Sequence, residues 1–136
     1  MVTKYLVCIH LLISCITPAS AQLTLSIEIS NLRNDHGYVW LSLYDENQVQ
    51  IRGLKSTINN ATSTFEINNL KPAKYAFKYF HDENDNSQIE TNSLGIPTEG
   101  FGFSNNAKGF LGPPSFDKWI FQLTQNHKVK CNPKYL

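Results

Sequence analysis

The sequence predicts an all-β fold, a small antiparallel β-sandwich with one long ordered loop. Three observations predict it. Short segments alternate apolar and polar residues with period two, the signature of half-buried strands. Clusters of Asn, Asp and Gly separate them at the short intervals typical of sandwiches. The one long gap between strands holds Pro113-Pro114 and four glycines from Gly95 to Gly109, which argue against a helix there.

The elements follow in order. Leu23–Ile29 alternates cleanly and reads as the first strand. Arg33–Gly37 is a turn, and Tyr38–Tyr44 is a second strand, expected to run antiparallel beside the first. Val49–Ile58 is a weaker strand with Gly53 as an expected bend or bulge. Thr62–Ile67 is the next, after an Asn59-Asn60 turn. Asn69–Lys74 is a turn, and Tyr75–Phe80 is a strongly aromatic strand. Alternation there places Tyr75, Phe77, Tyr79 and His81 on one face and Ala76, Lys78 and Phe80 on the other. After an aperiodic stretch from Asp82 to Lys118, Trp119–Leu123 closes the sheet and a short strand covers His127–Lys130. A loop of this length needs something to order it. Packing of Phe101, Phe103, Phe110 and Phe116 back onto the sandwich is one candidate, and a bound ion is another.

Residues 1–21 are expected to be a secretory leader. Lys4 is followed by the apolar run Tyr5–Ile13, and Ala19-Ser20-Ala21 gives a small-residue cleavage site. The apolar run is too short to span a bilayer, which takes about 20 residues. Residues 22–136 then form the domain, exported to the periplasm or the cell exterior. Leu12-Ile13-Ser14-Cys15 offers a rival, lipidation at Cys15 with membrane anchoring. Of the 3 cysteines only Cys131 would remain, so no internal disulfide is possible. Loss of Lys4 takes the basic count from 12 to 11, against 11 acids. A near-neutral domain lacks the basic field that attracts nucleic acid. No second apolar run is long enough to be transmembrane.

The block His81–Glu90 carries the chemistry of interest. Asp82, Asn84, Asn86, Gln88 and Glu90 place oxygen-bearing residues at alternate positions, as calcium-wrapping loops do to supply about six to eight oxygens. Ile89 falls where such loops place an apolar anchor, and Glu99 is able to return from later in the chain. Ser93 stands where a bidentate carboxylate would be, so the expected calcium affinity is weak, in the range of about 10⁻⁴–10⁻³ M. The same residues also suit Asx-turns that hydrogen-bond their own backbone. His81 beside Asp82 or Glu99 is a candidate hydrolase centre, although no nucleophile motif accompanies Ser104 or Ser115. His36, His81 and His127 lie at no metal-ligand spacing. Phe101, Phe103, Phe110 and Trp119, next to Gly100, Gly102 and Gly109, form a candidate surface for stacking a sugar or peptide, with Asn105 and Asn106 as adjacent polar contacts.

Four landmarks carry a resemblance: Phe80–Asn84, Leu94–Gly100, Phe101–Ala107 and Gly112–Phe116, with Asn31–Asn34 and Gly37 upstream. Through them nearly all of residues 22–136 resembles the DUF2141 family of bacterial exported proteins. The resemblance implies a transthyretin-like or carboxypeptidase-regulatory-like sandwich, and it brings no established activity. Asn69–Tyr75 is similar to the Leu-x-Pro-Gly-x-Tyr turn of such sandwiches, with Ala73 in place of Gly. The family's loop runs Asp-x-Asn-x-Asn-Gly-x-x-Asp, and this chain departs from it at Ser87. A non-Gly residue in left-handed backbone costs about 1–2 kcal/mol. The transthyretin-like hydrolases end in Tyr-Arg-Gly-Ser, whereas this chain ends Asn132–Leu136. Taken together, the sequence points to a non-enzymatic exported binding or structural module with an unidentified protein, peptide or glycan partner.

Overall fold

Alternating burial organises the chain in the computed structural model, which describes residues 21–136. The leader expected over residues 1–21 lies outside the described residues apart from Ala21, as do Cys8 and Cys15. Eight strands form among the described residues: β1 Leu23–Ser30, β2 Tyr38–Asp45, β3 Gln50–Thr57, β4 Thr62–Leu70, β5 Ala73–Asp82, β6 Phe101–Phe103, β7 Phe121–Leu123 and β8 His127–Cys131. Among the described residues the only helical pieces are single 3-10 turns at Ser104–Asn106 and Phe116–Lys118. None of these is long and apolar enough to cross a membrane.

Two sheets stack. One has the order β4-β1-β8; the other has the order β3-β2-β5-β6, with β7 also on β5. The core lies between them, where Leu25, Ile27 and Ile29 meet Val39, Leu41, Leu43, Phe77 and Ile67, all essentially inaccessible to water. On β5 Tyr75, Phe77, Tyr79 and His81 are buried, Lys78 is exposed and Phe80 half-buried, as the alternation predicts; Ala76, expected on the outward face with them, is buried as well.

Strand pairing differs from expectation in one respect. β1 does not pair with β2; it pairs with β4 antiparallel and with β8 parallel. Residues 31–37 are an arch between the sheets. Leu32 is buried there and donates its N–H to the Ala61 carbonyl at 3.0 Å. Stacking the apolar faces of β1 and β2 against each other buries both, which pairing them in one sheet would not do. The expected irregularity at Gly53 is displaced as well. Gly53 pairs regularly with Ser42, and the register shift falls between Leu43 and Tyr44.

The far edge of β5 is shared. β7 pairs with its first residues, Ala73–Tyr75, and β6 with Lys78–Phe80. In the gap between them the Ser104 hydroxyl accepts the Phe77 N–H at 3.0 Å and donates to the Trp119 carbonyl. A side chain thus replaces the missing ladder bond, as a buried backbone donor requires.

Candidate functional site

The end of β5 delivers His81 and Asp82 into a buried polar cluster, each with no accessible surface. Gly37 lets the 31–37 arch approach this strand end. Its φ is +67°, and a Cβ would fall 1.8 Å from the Asp82 carbonyl oxygen, so only glycine fits. The His81 ring bridges two elements. Nε2 donates to the His36 carbonyl at 2.8 Å, which leaves Nδ1 to accept the Tyr135 hydroxyl at 2.8 Å in the neutral ring. Tyr135 in turn accepts the Arg33 N–H at 3.1 Å, and its ring lies 4.7 Å from the Arg33 guanidinium carbon. Burial pushes the Tyr135 hydroxyl above its usual range. Gly100 passes against this ring, so closely that a Cβ would sit 2.4 Å from Tyr135 Cε1.

Asp82 is fully engaged. One carboxylate oxygen accepts the Asn86 N–H at 3.0 Å; the other accepts the Ser87 N–H at 2.8 Å and the Trp40 indole N–H at 2.9 Å. Ser87 adopts φ +64°, the left-handed conformation the turn demands, although it is not glycine. Glu99 does return to this loop. Its two oxygens, nearly inaccessible, accept the N–H groups of Glu83 at 2.9 Å and Glu90 at 3.1 Å. These internal bonds order the first part of the long connection.

Of the five residues expected to bind an ion, the structure draws three side chains to one point. The Asn84 and Asn86 amides both donate to one Glu90 carboxylate oxygen, at 2.7 and 3.1 Å. Asp82 joins them through the Asn86 N–H, and Gln88 through its own N–H, which Asn86 accepts at 3.0 Å. Asn84 also accepts the Asn86 N–H at 3.2 Å, a turn bond. Among the described residues no group of three or more His, Cys, Asp and Glu is placed to hold a metal.

Glu83, the neighbour of Asp82, forms an ion pair with Arg33 and accepts the Asn34 amide at 2.7 Å. Burial alone would push the Glu83 carboxyl up; the Arg33 and Asn34 hydrogen bonds outweigh it and hold the group below its ordinary 4.5. An open groove of about 370 Å³ runs alongside, lined by Asp35, Tyr38, Ile58, Glu83, Asn84 and Asp85. Its acids are engaged too: Asp35 caps the Asn60 and Ala61 N–H groups, and Asp85 pairs with Lys55 at 2.7 Å.

The expected aromatic surface divides. Trp119 is a buried hub, with Phe116, Phe103 and Tyr44 edge-on to it at 5.0, 5.2 and 5.7 Å. Phe101 and Phe103 lie half-buried on the outer face. Phe110, expected to plug the loop, does not: it is 92% exposed beside Leu111 at 95%. The short Gly109–Pro114 turn carries it away from the sheet, because Gly109 packs directly against the Gly112 carbonyl. Asn105 and Asn106 act as latches, donating to the carbonyls of Lys118 and Ile120 and of Lys130, while Asn106 accepts the Asn132 N–H. Both occupy left-handed backbone, which Asn tolerates. Cys131 is buried, which removes it from pairing between chains.

Sequence reasoning missed Trp40, Arg33, Tyr135 and the latch role of Ser104. Tyr135 lies 54 residues from its partner His81, and no local pattern signals such a contact.

Comparison with known proteins gives one match. The family model described as an uncharacterized protein conserved in bacteria, DUF2141, matches residues 27–131. No curated protein and no solved structure matches the chain.

Proposed function

We propose that this chain, which belongs to the DUF2141 family, acts as an exported, non-catalytic binding module that engages its partner through the outer face of its larger sheet. One observation carries the reading. The buried polar side chains His81, Asp82, Glu99 and Ser104 are each engaged by partners within the chain, while Phe101 and Phe103 remain half-open to solvent on the sheet surface. A general base needs a reachable substrate proton. His81 has no accessible surface and both its ring nitrogens are occupied. Export rests on the leader pattern of residues 1–21.

The test is a glycan and peptide array probed with the purified protein and with Phe101→Leu. Signal on one ligand class that the variant loses is the expected result. Turnover of generic ester or glycoside substrates that vanishes in His81→Ala would overturn the reading in favour of a hydrolase.

A second reading, weak calcium binding at Asp82, Asn84, Asn86, Gln88 and Glu90, is favoured by one feature. The loop already makes its sharp turn at Ser87 and brings Asn84, Asn86 and Glu90 together, where a flip of the two amides, which here donate to the carboxylate, would present oxygens to an ion. It predicts a higher melting temperature in millimolar calcium than in EDTA, with the difference abolished in Glu90→Gln. Identical melts in the two buffers would sink it.

A further inference from the structure

The strand registers of the larger sheet align five side chains across its outer face. Lys55 on β3 pairs with Trp40 on β2, Trp40 with Phe80 on β5, Phe80 with Phe101 on β6, and Phe101 with Lys134 in the C-terminal segment. Directly paired residues of antiparallel strands share a face. The result is a rung of three aromatic residues with a lysine at each end, spanning about 19 Å at the usual strand spacing of about 4.8 Å. The three rings are half-buried and both lysines are exposed. The adjacent rung reads Gly53, Ser42, Lys78 and Phe103. Gly53 contributes no side chain there, and the Lys55 ammonium lies over the Trp40 ring, 5.1 Å from its centroid.

The platform's three lysines outnumber the exposed acid beside them, Asp85. Lys78 and Lys134 have no carboxylate partner among the described residues, and Lys55 pairs with Asp85 while its ammonium lies 3.7 Å from the Tyr38 ring centroid. The one acid facing outward on β5, Asp82, is buried and engaged by its three N–H donors. None of the five rung residues lines the groove beside Tyr38 or the small cavity under Phe121. A protein partner that anchors a side chain in either cavity would therefore bind elsewhere. A lipid surface would engage the most exposed apolar residues, which are Phe110 and Leu111 at 92% and 95% and not these half-buried rings. A sugar ring, by contrast, offers a flat C–H face to the electron-rich face of an aromatic ring. Carboxylates along the same chain would meet the lysines.

We infer that the Lys55–Trp40–Phe80–Phe101–Lys134 rung, with Lys78 beside it, is a binding platform for an acidic, uronate-bearing polysaccharide. The assignment rests on the binding-module reading above and names its ligand class.

The experiment measures binding of the purified protein to polygalacturonate, with neutral dextran, polyglutamate and anionic phosphatidylglycerol vesicles in parallel. Polygalacturonate should bind in a salt-sensitive manner, and the other three should not bind at matched concentration. Lys78→Glu with Lys134→Glu should weaken binding about tenfold or more. Phe80→Leu and Phe101→Leu, which keep apolar volume and remove a ring, should each do so as well, with melting temperatures showing that the variants fold. Equal binding to polyglutamate would reduce the platform to simple charge and overturn the inference. So would a ring removal without effect, preference for vesicles, or no binding at all. An array signal on peptides lost in Phe101→Leu would overturn the glycan assignment and leave the binding-module reading standing.

Discussion

The two halves of the connection between β5 and β7 are ordered by opposite chemistry. From Glu83 to Gly100 the chain is held chiefly by carboxylates, with Asn92 capping the Leu94 and Ile96 N–H groups. Asp82 and Glu99 accept five N–H groups between them, and Arg33 clamps Glu83. From Ser104 to Ile120 no charged group takes part. Ser104, Asn105 and Asn106 bond to backbone, and Trp119 gathers three aromatic rings. The lesson is that an irregular segment stays ordered wherever its backbone donors and acceptors find side-chain partners, and that charged and neutral solutions differ in what disturbs them.

The largest effect should come from Asp82→Ala, which removes from a buried site the shared acceptor of three partly buried N–H groups. A loss of about 3 kcal/mol or more is expected, read as a fall in melting temperature on the order of 10 °C. Measured in EDTA, that fall is the structural share; any additional fall in calcium is the ion's share. Next is Ser104→Ala on the neutral side, at about 1–3 kcal/mol, because the Phe77 N–H and the Trp119 carbonyl lose their common partner. Chemical denaturation would measure it, and an unchanged midpoint would contradict the latch.

Acid should separate the halves. The Glu83 carboxyl is depressed in the folded protein, so its contribution is present above the ordinary carboxylate value of 4.5 and is lost as pH falls through the lower folded value. Glu83→Gln should therefore flatten the stability profile below about pH 4.5, while Ser104→Ala should lower it evenly across pH. Smallest is Phe110→Ser. That side chain touches little, so the change should stay within about 0.5 kcal/mol. A larger loss would mean that the ring packs in solution as the sequence suggested.

Much of the fold was legible because strands announce themselves by period. Leu23–Ile29, Tyr38–Tyr44 and Tyr75–Phe80 all formed where alternation placed them, with the expected faces inward. β6 was not legible: Phe101-Gly102-Phe103 is too short to show a period. At the site, Glu99 was foreseen as returning to the loop, and the structure has it binding backbone N–H groups. Phe110 misled, because its aromatic character argues for burial while the tight Gly109–Gly112 turn around it decides otherwise.

By itself the sequence determined the all-β class, the inward and outward faces of each long strand, and the turn-forming alternation from Asp82 to Glu90. These are local properties, fixed by side-chain period and by Asn and Asp bonding to nearby backbone. Only the tertiary structure decided that β1 and β2 occupy different sheets, that Tyr135 closes over His81, and that Trp40, Phe80 and Phe101 stand in one rung between two lysines. Those pairings join residues tens of positions apart, and register between distant strands is set by how two apolar faces bury each other, which no stretch of the chain encodes alone.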